Sequence, residues 1–341
     1  MFVCPNCFND LELKKYIEAS PTKPGYCDYC KSQNVPLFHI DEILDFFNEL
    51  IYLFEPRIDG EEISIKIQKE WDLFSDVEIA RSIISGLAKY MNKTSLNGKT
   101  KVDYIPELLQ NFEQWKDFKE KIRTEKRYLL DVDKLQELEW DSMFSDVVEY
   151  KDDIPLFRAR IHHDEVLECL PCDKMGAPHA DKVGNGRANP IGIPYLYLSK
   201  EIDTTFYETK ALNKDELSVA EFRVLDGETI SLVDFTEIPK IFGAFGSVDL
   251  FSYVKKILLK NLISIDLSKP IRRYDSELDY IPTQFICEYI RVVNKADGII
   301  FSSSLHKGGV NVVVFNMDKV ECKAVTKYIV DDNELTFSVV D

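Results

Sequence analysis

The 341-residue chain predicts an α+β protein in three parts: a zinc ribbon over residues 1–40, a helical domain over 41–148 and a mixed α/β domain over 149–341. Three observations predict this order. Two CxxC pairs lie within the first thirty residues, apolar residues recur at helical spacing from Asp41 to Phe144, and beyond Tyr150 the chain turns to short strand-like runs bounded by Gly, Pro, Asn and Asp.

The first part holds Cys4-Pro5-Asn6-Cys7 and Cys27-Asp28-Tyr29-Cys30, with nineteen residues between the pairs. Each CxxC bends into a knuckle that aims two thiolates at one point, and two knuckles complete a closed tetrahedral shell. Cys4, Cys7, Cys27 and Cys30 are therefore the expected ligands of one structural Zn2+. In the second part Ile43, Leu44, Phe47, Leu50, Ile51 and Phe54 share a helical period that ends before Pro56. Ser75 with Glu78 reads as a capping box ahead of Ile79, Ile83, Ile84 and Leu87, and Pro106 opens a helix carrying Leu108, Leu109, Phe112 and Trp115. A shorter helix is expected over 132–144, and a loop over 92–101.

In the third part, 218–225 and 230–234 alternate around Asp226-Gly227, a hairpin signal. Residues 247–263 and 281–293 read as helices, and 298–302, 310–315 and 335–340 as strands.

Composition narrows the classes. The formal charge of −17 disfavours nucleic-acid binding, which gains affinity by releasing counterions to Lys and Arg. No stretch of eighteen apolar residues occurs, so a soluble cytoplasmic protein without a membrane partner is expected. Eight cysteines are too few for a secreted disulfide scaffold of this length, and paired spacing suits metal ligation in a reducing compartment. Cys169-Leu170-Pro171-Cys172 has no second pair to close a shell, Cys287 and Cys322 stand alone, and these cysteines are read as incidental.

Five patches in the third part carry more chemistry. They are Phe157-Arg158-Ala159-Arg160, Gly186-Arg187-Ala188-Asn189-Pro190, Tyr195-Leu196-Tyr197, Thr204-Thr205-Phe206-Tyr207-Glu208 and Gly298-Ile299-Ile300-Phe301-Ser302-Ser303-Ser304. In this order, over about 150–316, the chain resembles the RES domain, a family named for an arginine, a glutamate and a serine and known for consuming NAD+, commonly as a bacterial toxin. The resemblance implies a compact α/β core similar to ADP-ribosyltransferases and NAD+ as substrate. The cysteine pairs followed by helices resemble the HEPN/RES amino-terminal domain of longer members.

Cleaving the nicotinamide–ribose bond requires placed charge more than acid catalysis, because the pyridinium leaves as neutral nicotinamide while positive charge develops on the ribose. The resemblance assigns Glu208 to the ribose, at the start of an expected helix, and Arg158 and Ser303 as its catalytic companions. Guanidinium groups match pyrophosphate oxygens in pairs, which suits Arg158 and Arg187. Arg160 lies on the same strand face as Arg158, so the choice between them stays open. Tyr197 offers a ring to stack on nicotinamide, with Tyr195 more simply a core aromatic. Ser302, Ser303 and Ser304 leave a register of one open, the Phe-x-Ser spacing favouring Ser303 and strand alternation setting Ser302 and Ser304 on the other face. Asn311 and His306, in the loop after the serines, are further substrate-binding candidates. His162 and His163 read as structural or solvated.

The expected activity is thus NAD+ cleavage by phosphorolysis or hydrolysis, with protein ADP-ribosyl transfer as the alternative. A HEPN-type ribonuclease is a second alternative, since Arg158 and His163 have the numerical spacing of its motif, but they fall in a strand-like segment and the helical region 41–144 contains no histidine. An NAD+ consumer inside a cell implies an antitoxin or regulatory partner. A homo-oligomer is open.

Overall fold

Helices Leu11–Ala19, Leu44–Tyr52, Ile63–Trp71 and Val77–Leu87 each bury one face. Phe46, Phe47, Leu50 and Ile51 on one of them, and Ala80, Ile83, Ile84 and Leu87 on another, show the three- and four-residue spacing that lines up side chains along a helix. In the computed structural model, which describes residues 2–20, 24–91, 96–128, 140–162, 168–237, 239–269 and 277–331, the chain divides into two compact units. One comprises Met1–Trp115 with Glu237–Leu259, the other Lys116–Thr236 with Lys260–Asp341. The helices above belong to the first. Its core also takes in Ile241, Ala244 and Leu250, and Phe242 meets Phe46 edge to face at 5.0 Å between ring centroids.

Two local readings change here. The helix that begins at Leu44 stops at Tyr52, and Phe54–Glu62 is a strand paired antiparallel with Lys101–Tyr104. Pro56 disfavours helical geometry in the residue before it, and the Phe54 ring gains a stacked partner in Tyr104 at 4.8 Å. The cap of Val77–Leu87 is Asp76 rather than Ser75: its carboxylate accepts the Ile79 N–H at 2.8 Å. An acidic cap supplies both the acceptor and the negative charge that a helix amino terminus favours. Pro106 does open a helix, Pro106–Thr124. Of the helix expected over 132–144, only Trp140–Met143 is among the described residues.

The second unit is built on one mixed sheet. Its strands are β1 (Val147–Tyr150), β2 (Leu156–Ile161), β3 (Leu196–Ser199), β4 (Glu216–Val224), β5 (Ile230–Asp234), β6 (Gly298–Ser302), β7 (Val310–Val314) and β8 (Val320–Ile329). They lie in the order β8-β4-β2-β3-β7-β6-β5-β1. All neighbours are antiparallel except β5 and β6. Leu196, Leu198, Ile300, Val312 and Val314, from adjacent strands, share one buried cluster. Among the described residues no helix is long and apolar enough to cross a membrane.

The expected hairpin of 218–225 with 230–234 does not form. The chain turns there, with Gly227 at φ +80° and Glu228 N–H bonded to Leu225 O at 2.9 Å. However, β4 is already paired on both edges, with β8 and with β2, so β5 joins the far half of the sheet beside β6 and β1. Cys172 and Cys322 are likewise not incidental. They form a disulfide across 150 residues of sequence, a separation that hides the pairing from any local reading. The strand expected over 335–340, and His163, lie outside the described residues.

Candidate functional site

Strand β2 pairs with β4 at every residue from Leu156 to Ile161, but with β3 at Phe157↔Ser199 alone. Beyond that pair the two strands share no ladder. The Arg158 guanidinium enters instead, donating from Nη1 to the Tyr197 carbonyl at 3.3 Å. At this opening lies a pocket of about 380 Å³, with Arg158, Arg187, Tyr197, Glu208, Asn311 and Lys210 among its lining residues. Three cations and one carboxylate are among its described lining residues, so a chain of formal charge −17 presents a locally positive cavity. Such a cavity suits a ligand carrying more than one negative charge.

Glu208 is on helix α1 (Ile202–Thr209). It occupies the last turn rather than the start, where the negative end of the helix dipole opposes a carboxylate. Two donors offset this. Ser303 Oγ donates to Glu208 Oε1 at 2.7 Å and Asn311 Nδ2 donates to the same oxygen at 2.6 Å.

The serines follow the end of β6 at Ser302, so strand alternation no longer governs Ser303 and Ser304. Ser302 is exposed, Ser303 bonds Glu208, and Ser304 Oγ accepts from Arg187 Nη2 at 3.2 Å. Ser303 also folds its own loop, its Oγ accepting the N–H groups of Leu305 at 3.2 Å and His306 at 3.0 Å.

The Arg187 loop is fixed against Tyr197. The phenol donates to Asn189 Oδ1 at 2.7 Å and accepts the Ala188 N–H at 3.1 Å, and burial raises its pKa above the ordinary value. A Cβ on Gly186 would come within 2.5 Å of Tyr197 Oη and 2.3 Å of Asn189 Oδ1, so glycine is required for this approach. Thr283 Oγ1 donates to the Arg187 carbonyl at 2.7 Å, and Gln284 Nε2 to the Gly186 carbonyl at 2.8 Å and the Asn189 carbonyl at 3.0 Å. The Arg187 side chain donates to Leu267 O at 3.1 Å.

Arg158 and Arg160 part company. Arg160 donates to the Gly176 carbonyl at 2.7 Å and is not among the pocket's lining residues. Burial, and after it the Arg160 charge, pushes the Arg158 guanidinium down to about 10. Burial lowers Arg160 also. The Arg158 Nε is buried without a partner. His306 too stands outside the lining set: its ring lies parallel to Tyr207 at 4.6 Å and its Nδ1 is 2.9 Å from Thr204 Oγ1. Tyr195 packs on Phe315 at 4.6 Å. His162 Nε2 lies 2.8 Å from Ser218 Oγ.

Residues 156–338 match the RES domain, a span of more than half of the 341 residues. The chain belongs to the RES domain family. No curated protein matches it. The RES match begins at β2, the strand that carries Arg158, and contains every described lining residue of the pocket. RES membership is consistent with an NAD+-related activity.

Sequence reasoning missed the residues that hold the site. Ser199, Thr205, Phe301 and Lys210 line the pocket, and Asn189, Thr283 and Gln284 brace the Arg187 loop. A signal existed for some: Thr283 and Gln284 are buried polar residues on helix Ile281–Tyr289, whose other buried residues include Ile286 and Cys287.

Outside the RES match, Cys4, Cys7, Cys27 and Cys30 bring their sulfurs within 4.8 Å of one another. Cys4–Cys30 is 3.3 Å, Cys7–Cys27 3.4 Å and Cys4–Cys7 4.0 Å. A tetrahedral ion with bonds of about 2.3 Å to sulfur needs sulfurs roughly 3.8 Å apart, so the set fits a thiophilic metal. Hydrogen bonds from Cys4 and Cys7 hold the Cys27 thiol far below its ordinary value, and the same contacts push Cys7 up and Cys4 up to about 12.

Metal analysis of protein purified without chelator is expected to find about one ion per chain, lost on acidification as the thiolates protonate, with the first unit losing its helical signal as the ion leaves. Metal-free protein with unchanged helicity would contradict this. Arg158→Met is expected to leave the thermal midpoint equal or higher, because an incompletely paired buried cation is removed. The same variant should bind pyrophosphate roughly tenfold or more weakly by calorimetry. A fall of several degrees would make the guanidinium structural.

Proposed function

We propose that the pocket binds NAD+ and breaks its nicotinamide–ribose bond, passing the ADP-ribose to phosphate or water. The observation that carries this reading is Glu208, with Oε1 anchored by two donors at the edge of a cavity lined by three cations. Arg158 and Arg187 bind the pyrophosphate. Glu208 Oε2 accepts from a ribose hydroxyl and opposes the positive charge that develops as neutral nicotinamide leaves.

Tyr197, its hydroxyl tied down, presents its ring to the nicotinamide and fixes the direction of the scissile bond. The Ser303 hydroxyl, spent on Glu208, acts by positioning that carboxylate rather than by touching nicotinamide. Asn311 does the same from the other side. The resemblance read from the sequence implies a core similar to ADP-ribosyltransferases, and transfer to a protein acceptor is the second reading.

The NAD+-processing part lies within 149–341, of which Glu237–Leu259 packs in the first unit, and 1–40 with 41–148 supply a zinc ribbon and helical region of the HEPN/RES type. Cys4, Cys7, Cys27 and Cys30 would hold a closed Zn2+ that stabilises the fold. Consumption of cytoplasmic NAD+ is toxic to the cell that makes the enzyme, so its activity requires restraint by an antitoxin-like partner.

Purified protein given NAD+ is expected to release nicotinamide. Acceleration by inorganic phosphate marks phosphorolysis, and an equal rate without it marks hydrolysis. Glu208→Gln should slow release about a hundredfold or more while the thermal midpoint stays nearly constant. No nicotinamide from the wild type near stoichiometric enzyme, or a Glu208→Gln variant that cleaves normally, would refute the reading.

A further inference from the structure

Glu208 depends on which way round Asn311 is turned. A carboxamide presents a donor at one end and an acceptor at the other, and a half-turn about its last torsion exchanges them. Turned over, Asn311 would set Oδ1 against Glu208 Oε1, two acceptors in contact, and the carboxylate at the helix end would lose one of its two anchors.

Glu208, an acceptor only, selects the Nδ2 end, and the register of the sheet supplies a partner for the other. Ser199 on β3 is the cross-strand partner of Asn311 on β7. It is 3% exposed, Asn311 6%, and Ser199 Oγ donates to Asn311 Oδ1 at 2.9 Å. With that acceptor satisfied, Nδ2 faces Glu208 at 2.6 Å. Ser199 is also the residue at which β3 makes its one pairing with β2, so the group that holds the far end of the amide is fixed at the edge of the opening. We propose that Ser199 is a positioning residue: its hydroxyl satisfies the buried Asn311 Oδ1 and so holds the amide in the orientation that Glu208 selects, and through it the placement of Glu208. The effect on catalysis rests on Glu208 acting at the ribose. The effect on Asn311 does not.

The test follows the Asn311 side-chain amide by ¹⁵N NMR, its signals identified by their loss in Asn311→Asp, beside kcat and KM for NAD+. In Ser199→Ala the buried Oδ1 loses its donor. The Asn311 signals should shift and their hydrogen exchange quicken by roughly tenfold, with kcat falling about tenfold and KM changing by less than about twofold. Ser199→Thr, which keeps the hydroxyl on a residue suited to a strand, should restore both.

Unchanged Asn311 signals in Ser199→Ala would overturn the proposal, as would a Ser199→Thr that retains the fold by circular dichroism but fails to restore them. Should Ser199→Ala not fold, the Ser199→Thr comparison decides alone: native Asn311 signals with native kcat support the role. A wild type that releases no nicotinamide would remove the NAD+ reading while the NMR result still decides for or against Ser199.

Discussion

The single pairing of Phe157 with Ser199 is the constraint on which the second unit turns. On one side β8, β4 and β2 form a continuous ladder, and on the other β3, β7, β6, β5 and β1 form another. Backbone polar groups beside an interrupted ladder must find other partners or meet water. Here the Tyr197 carbonyl accepts a hydrogen bond from the Arg158 guanidinium. A break in main-chain pairing thus does two things at once: it opens a cavity, and it calls a cation to the cavity wall.

Around that break the chain accepts several arrangements unfavourable in isolation. A carboxylate stands at the negative end of a helix, and Arg158 is buried beside a second arginine with its Nε unpartnered. Each is compensated in part by neighbours, Glu208 by Ser303 and Asn311, Arg158 by the Tyr197 carbonyl. In the proposed reading, the buried Arg158 charge and the second oxygen of Glu208 are what the pyrophosphate and ribose of NAD+ would meet. Charge left over after the fold has been satisfied distinguishes this cavity from an ordinary gap.

Much of this was legible in the sequence where chemistry is local. The cysteine spacing, Pro106 at a helix start and the strand Gly298–Ser302 each follow from the nature of neighbouring residues. The patches around Arg158, Arg187, Tyr197 and Glu208 named four lining residues of one pocket. What stayed hidden required the third dimension. Strand alternation ends with β6, so the separate partners of Ser303 and Ser304 depend on how the following loop folds. The lost hairpin depended on β4 having both edges taken, and the Cys172–Cys322 bond on two segments 150 residues apart in sequence. Arg158 and Arg160 are equivalent by period, and only their separate carbonyl partners, Tyr197 and Gly176, tell them apart.

The most direct test is a crystal structure of Glu208→Gln soaked with NAD+, so that the bound molecule stays intact. The account predicts density at the opening between β2 and β3, the pyrophosphate against Arg158 and Arg187, the nicotinamide ribose beside residue 208 and the nicotinamide ring over Tyr197. NAD+ bound elsewhere on the protein, or bound here with its pyrophosphate turned away from both arginines, would contradict it.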